Sequence, residues 1–286
     1  LKKNYPDVQF EKVIVTTKGD KQKDAAISSF GGKAVFVEEI EEALLDGTID
    51  LAVHSAKDMP NPCKKGLGIA GVLPRACVQD VLIYRVDTDI RSKDAFTVGT
   101  GSLRRRCQIK EIYPQAECME LRGNVTTRIQ KLRDGMYDAI ILAAAGIERL
   151  GIEKEPDLVY EYLDVDVMLP AAGQGILAVQ GHKGLKYEYL SGYKDEDAWI
   201  AGTAERAFVR YLDGGCSSPV AAFGIVEGEE LFLRGLYYRE KDGRYFKDSI
   251  RGPKTEAARL GMCLAEQMKR EHEEQENDKY TGGEPV

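Results

Sequence analysis

Histidine is scarce in this 286-residue sequence. There are three, at 54, 182 and 272, and none stands at a metal-ligand spacing from another. Cysteine is sparse as well. The six, at 63, 77, 107, 118, 216 and 263, contain no C-x-x-C pair, which excludes a disulfide scaffold and a zinc ribbon. Long apolar runs are missing. The longest, around residues 139–145, is far short of the 18 or so residues that a membrane-spanning helix needs. An excess of positive charge is missing too: 40 Lys+Arg stand against 47 Asp+Glu, a net charge of -7, which excludes a nucleic-acid coat. No signal or transit segment is recognisable at the start, so a reducing cytosol is the expected compartment. The first residue is Leu1, and Lys2-Lys3-Asn4-Tyr5-Pro6 reads as the tail of a helix whose body is absent. The expectation is an incomplete N-terminus.

What is present suits a globular protein. The chain is 43% hydrophobic and 30% charged, enough for two domains or three small ones. Residues 11–17 are short and β-branched and predict a strand, 36–45 predict an amphipathic helix stopped at Gly47, and 49–54 a second strand. This alternation predicts a parallel α/β sheet. It restarts near residue 80, with strands at 81–84, 96–102, 116–121 and 138–144. Helices are predicted from 103, over 125–132 and from 146. A helix over 198–211, a meander over 220–226, 230–238 and 244–250, and a helix over 255–270 read as a separate α+β unit. No internal repeat is present, and the acidic end, 271–286, is expected to fray.

Several turns carry chemistry. Gly99-Thr100-Gly101-Ser102-Leu103-Arg104-Arg105-Arg106 runs from a strand through a Gly-rich turn into a helix, which suits an anion. It is neither a Walker A loop nor G-x-G-x-x-G, since Arg104 stands where the third Gly belongs. Arg104 and Arg105 suit carboxylate or phosphate, and Arg106 is assigned to the surface. A solvated basic helix face is the plainer alternative. Arg122-Gly123-Asn124 is a second such turn, with Asn124 as N-cap and Arg122 and Arg128 flanking the helix start. Arg149 follows a third. Residues 99–133 hold eight Lys/Arg and three Glu, a local balance of +5. Arginine at several strand ends points to a small polyanion.

Asp58, in His54-Ser55-Ala56-Lys57-Asp58-Met59-Pro60, is either an ionised acid among cations or a cap on the turn before Pro60. Cys216, after Gly214-Gly215, is either a small core residue or an exposed covalent attachment point.

Six segments in order resemble the hydroxymethylbilane synthase (porphobilinogen deaminase) family. They are Asp50 to Pro60, Val98 to Arg105, Leu121 to Val125, Asp138 to Ala143, Leu169-Pro170-Ala171-Ala172-Gly173-Gln174-Gly175, and Gly214-Gly215-Cys216. The resemblance runs from about Glu11 to Arg270. It implies an α/β fold: two periplasmic-binding-protein type II-like domains around a cleft, plus a small α+β C-terminal domain. Residues 1–75 with 174–192 would form domain 1, 79–170 domain 2, and 196–286 domain 3. The implied reaction joins four porphobilinogens, each losing ammonia, onto a dipyrromethane cofactor. Water then releases linear hydroxymethylbilane for tetrapyrrole biosynthesis.

By motif, Cys216 would carry the dipyrromethane through a thioether. Asp58 would be the catalytic acid that stabilises a cationic azafulvene-like intermediate. Ser55, Lys57, Thr100, Ser102, Arg104, Arg105, Arg122 and Gly123 would bind the cofactor. Lys33, Arg128, Arg149 and Gln174 would serve the substrate, with Gln174 at the crossover back to domain 1. No metal, nucleic acid or membrane is implied, and a cytoplasmic monomer is expected. The chain departs from the family in lacking an initial strand, Gly/Ser-bearing turn and helix before Leu1, and in having Ala34-Val35 where Gly-Leu is usual. Two rivals remain: a non-enzymatic type II solute-binding protein, and a phosphate- or nucleotide-binding regulator.

Overall fold

The computed structural model describes residues 1–15, 37–185, 187–212, 219–239 and 242–274. Lys33 and Cys216 lie outside the described residues, as do residues 16 and 17 at the end of the first expected strand. Residues 11–15 form no strand, and Val13 and Ile14 are exposed rather than packed on an apolar layer.

The chain divides into two compact units, 1–76 with 175–199, and 77–174 with 200–286. The first contains helix α1 (Glu38–Leu45) and a three-stranded sheet of β1 (Ala52–Ser55), β2 (Leu67–Val72) and β8 (Leu177–His182), with β8 in the centre. Both pairings are antiparallel. This corrects the expectation of a parallel sheet for the described strands. The central strand comes from the returning segment, and it runs opposite to β1 and β2 alike. Leu44 of α1 packs on Ala52 and Leu67.

The second unit holds two sheets. One is five-stranded, in the order β5-β4-β6-β3-β7, built from β3 (Asp80–Arg85), β4 (Phe96–Gly99), β5 (Ala116–Met119), β6 (Ala139–Ala143) and β7 (Leu158–Leu163). β4 pairs in parallel with β5 and β6, while β3 runs antiparallel to β6 and β7. Because side chains alternate across a strand, its apolar runs feed two cores. Val81, Ile83, Ile140 and Leu142 face helices α3 (Val125–Arg133) and α4 (Ala144–Leu150). Leu82, Val98, Ala139 and Ile141 face α2 (Leu103–Ile112). Each fully buried Leu or Ile contributes about 1.5–3 kcal/mol, so a doubly covered sheet is a rigid platform for the turns at its strand ends.

The other sheet is the antiparallel meander β9 (Ala221–Glu227), β10 (Glu230–Arg239) and β11 (Arg244–Pro253). Helices α5 (Glu196–Tyr211) and α6 (Ala257–Glu274) cover it through Ala204, Phe208, Leu260, Leu264 and Met268. A Cβ on Gly261 would stand 2.2 Å from the Ala204 carbonyl oxygen, so glycine lets these helices approach closely. The architecture is mixed α/β with an α+β portion at its C-terminal end.

Candidate active site

In the first unit β1 ends at Ser55 and the chain turns through a short 3-10 segment, Ala56–Asp58. The Ala56 N–H donates to the Ile176 carbonyl at 2.9 Å. Ala56 and Met59 are buried in a small core with Val72, Ile176 and Ala178. These anchors leave Ser55 and Lys57 half-buried and Asp58 exposed. The Asp58 carboxylate accepts no hydrogen bond among the described residues. Among the described residues it forms no side-chain cap on the turn before Pro60.

In the second unit the Thr100–Ser102 turn joins β4 to α2. The Thr100 N–H donates to the Met119 carbonyl at 2.9 Å, and the Ser102 N–H donates to Thr100 Oγ1 at 3.2 Å. Thr100 is fully buried, and Ser102 stands at the N-cap of α2 without a side-chain capping bond.

The three arginines that follow part company. Arg104 and Arg105 are 4% and 6% exposed. Both reach Asp80, which opens β3 and is 0% exposed. Arg104 Nη1 donates to Asp80 Oδ2 and to the Leu169 carbonyl, both at 2.7 Å. Arg105 donates to Asp80 Oδ1 from Nε at 3.1 Å and Nη2 at 2.7 Å, and to the Ile141 carbonyl from Nη1 at 2.9 Å. Burial opposes ionisation of Asp80 and is the largest single influence on it. The two guanidinia together outweigh burial and hold the carboxyl well below the usual carboxylate range. The pKa of Arg104 is lowered as well, but there burial prevails over the attraction. Burial lowers its pKa and so does Arg105, with Asp80 as the counterweight. Two buried cations thus share one buried anion.

Arg106 lies at the half-buried rim, donating to the Thr100 carbonyl at 3.1 Å and pairing with Glu120 at 2.6 Å. So the basic run is neither a solvated face nor three parallel ligands. Glu120 also pairs with Arg122 at 3.1 Å, which ties the first Gly-rich turn to the second.

The second turn follows its sequence logic closely. Asn124 caps α3, its Oδ1 accepting from the Thr127 N–H at 2.8 Å. Gly123 has φ +112°, a conformation that favours glycine, and a Cβ there would meet Thr127 at 3.0 Å. Arg128 Nε donates to the Gly123 carbonyl at 2.6 Å and braces the turn from inside α3. Arg149 is exposed at the end of α4. Gln174 is 1% exposed, and its Nε2 donates to the Val78 carbonyl at 2.7 Å and to Asp80 Oδ1 at 3.0 Å. It belongs to the Asp80 cluster.

The second unit therefore gathers Arg104, Arg105 and Gln174 around Asp80, holds Thr100 and Ser102 in the turn that opens α2, and links Arg122 to that turn through Glu120 and Arg106. Ser55, Lys57 and Asp58 share a turn of the first unit. Sequence reasoning passed over Asp80, Gln108 and Glu205. The only sequence signal for Asp80 is an acid opening an otherwise apolar strand. Gln108 accepts from the Leu169 N–H at 2.8 Å and donates to its carbonyl at 3.1 Å. Glu205, 0% exposed on α5, accepts from the N–H groups of Gly173 at 2.6 Å and Gly224 at 2.8 Å. Among the described residues no group of His, Cys, Asp and Glu side chains could hold a metal ion.

Residues 1–187 match the family model described as porphobilinogen deaminase, dipyromethane cofactor binding domain. Residues 199–270 match the one described as porphobilinogen deaminase, C-terminal domain. A porphobilinogen deaminase of Acetivibrio thermocellus is 41% identical over 271 residues, covering 94% of this chain and 90% of the relative. One of Geobacter metallireducens is 42% identical over 271 residues, covering 94% and 84%. Among solved structures, the periplasmic VFT2 domain of Bordetella pertussis BvgS is 20% identical with a TM-score of 0.35, covering 52% of this chain and 61% of that one. A substrate binding protein of an amino acid ABC transporter is 18% identical with a TM-score of 0.32, covering 53% and 63%.

Proposed function

This chain belongs to the porphobilinogen deaminase family, and we infer that it is a hydroxymethylbilane synthase. It is a transferase that condenses four porphobilinogens, with loss of ammonia from each, and releases linear hydroxymethylbilane in tetrapyrrole biosynthesis. Its cofactor is dipyrromethane.

One structural observation carries the reading beyond family membership. Arg104 and Arg105 are both buried, and Asp80 is the one carboxylate among the described residues that pairs with them. The cluster holds one positive charge in excess, and a desolvated cation needs an anion. The acetate and propionate groups of a dipyrromethane supply such anions, so the donor set fits the group. When bound, that group supplies the pyrrole carbon onto which substrate is joined.

The chain's own residues do the rest in our reading. Arg104, Arg105, Arg122, Thr100, Ser102 and the Gly123 backbone hold cofactor carboxylates. Ser55 and Lys57 act from the first unit. Arg128, Arg149 and Lys33 serve the carboxylates of incoming substrate, and Gln174 keeps Asp80 in place beneath them. Asp58, with no bond to its own turn, is open to accept pyrrole N–H bonds and to offset the positive charge that develops as ammonia leaves. Cys216 is the attachment point. Residues 1–75 with 174–192, 79–170 and 196–286 are the domains that bring these groups to the reaction.

We read the protein as a cytoplasmic monomer. The five described cysteines are all free thiols, which suits a reducing compartment. No helix among the described residues is long and apolar enough to cross a membrane. A non-enzymatic solute-binding role is not favoured by the family relationship. Incubation with porphobilinogen, followed by oxidation and a porphyrin absorbance assay, tests the function. Product formed in proportion to enzyme supports it, and none from a folded, cofactor-loaded chain overturns it.

A further inference from the structure

Behind the turn that bears Asp58, three polar side chains from three elements form a buried chain. Glu41 on α1 is 3% exposed, Gln180 on β8 is 0% exposed, and His54 on β1 is 8% exposed. Glu41 Oε1 accepts from Gln180 Nε2 at 2.7 Å and from the Lys64 backbone N–H at 3.2 Å. Glu41 makes no ion pair among the described residues, so these donors are what compensates its burial.

The bonds fix one another's direction. A carboxylate only accepts, so the Gln180 amide must turn its NH2 toward Glu41. Its oxygen then faces His54, and Nε2 of the imidazole lies 3.0 Å from it. An amide oxygen also only accepts, so His54 Nε2 carries a hydrogen. Burial disfavours a second proton on the ring, against smaller opposing influences from Gln180, Glu41 and Asp58. The ring is held neutral, as one tautomer, in one orientation.

That orientation matters because of where His54 stands. It faces the inner side of β1, in register with Ala178 of β8. The chain enters the Ala56–Asp58 turn directly after Ser55. A well-packed apolar trio at these positions would cost no more stability than a buried carboxylate, amide and imidazole. What the polar trio adds is a direction for the end of β1.

We propose that His54, locked as its Nε2–H tautomer by Gln180 and Glu41, is a positioning residue that sets the geometry of the Ser55–Asp58 turn. It does not touch the reacting atoms. The inference rests on the reading of Asp58 as the reaction's acid.

The test uses the whole chain labelled with 15N, and two substitutions. His54→Gln keeps an N–H donor where Nε2 stands, while His54→Asn places its donor short of Gln180. In the unsubstituted protein the imidazole spectrum should show a single Nε2–H tautomer for His54. The Ser55, Lys57 and Asp58 amide resonances should stay in place in H54Q and shift or broaden in H54N. In the porphobilinogen assay H54Q should retain turnover. H54N should lose kcat by up to about a hundredfold with KM little changed, as a displacement on the order of an ångström would cause. An Nδ1–H or mixed tautomer overturns the proposal, and so do turn resonances alike in H54N and H54Q. Equal kcat in the two variants overturns its catalytic part. The resonances read out independently of activity, so an inactive wild-type chain would count against the proposed reaction and not against this lock.

Discussion

Arg105 grips Asp80 with two nitrogens on one oxygen: Nε at 3.1 Å and Nη2 at 2.7 Å, both to Oδ1. Arg104 takes the other oxygen at 2.7 Å. Removing the carboxylate would leave two buried guanidinia without a counter-charge. Asp80→Asn should therefore destabilise the second unit by about 3–5 kcal/mol, the cost of breaking a buried ion pair. Calorimetric or urea unfolding of the variant checks this, and an unchanged midpoint would show that the cluster is not a structural anchor.

The same pair gives a pH dependence. The Asp80 carboxyl sits below its unfolded-state value when folded. Its contribution is therefore complete above the unfolded value of ~3.9 and is lost as pH falls through the folded one. The stability gap between wild type and D80N should be flat from neutral pH to about pH 5, then close in stronger acid. A gap that closes near neutrality would contradict the assignment.

His54 should act in the opposite part of the scale. Burial lowers its pKa, so below ~6.5 the unfolded chain takes up a proton that the folded one resists. Stability should fall as pH drops from about 7 to 5, and H54Q should flatten that slope. Urea unfolding across this range measures it, and parallel slopes for the two proteins would refute the expectation.

Asn124 and Gly123 test the second Gly-rich turn. Asn124→Ala removes the bond to the Thr127 N–H and should cost about 1 kcal/mol. Gly123→Ala meets both a φ of +112° and Thr127 at 3.0 Å, so it should cost at least as much. Both should weaken porphobilinogen saturation more than an Asn124→Ser substitution, which keeps a capping oxygen. Steady-state KM values decide it.

Glu205 ties the Gly173 turn to β9 through two N–H bonds. Glu205→Ala removes the carboxylate that both N–H groups use, at about 1–3 kcal/mol for each buried bond lost. Hydrogen exchange at Gly173 and Gly224 should rise together in the variant. A rise at one amide alone would show that the two attachments are independent.

Much of this was legible in the residues. The strands at 81–84 and 138–144 announce themselves as continuous apolar runs because the sheet is covered on both faces. The Asn124 cap and the Gly99–Ser102 turn follow from local chemistry. Other parts were hidden. Leu67–Val72 contains two glycines, and Leu158–Leu163 and Leu177–His182 mix polar residues into a paired strand, so pattern alone passes over them. The direction of β8 depends on the returning chain, which no local signal encodes. Asp80, Gln108, Glu205 and the Glu41–Gln180–His54 chain are isolated polar residues in apolar surroundings. Their partners lie many residues away, and only the fold brings them together.

The central claim is that Cys216 carries a dipyrromethane built from substrate. Intact-protein mass spectrometry before and after incubation with porphobilinogen, followed by peptide mapping, tests it most directly. An adduct of two pyrrole units confined to the Cys216 peptide is expected, extended in steps of one unit with more substrate. It should be absent in Cys216→Ala and retained without turnover in Asp58→Ala. A folded chain that shows no adduct on Cys216 under any of these conditions, or the same adduct in the Cys216→Ala protein, would contradict it.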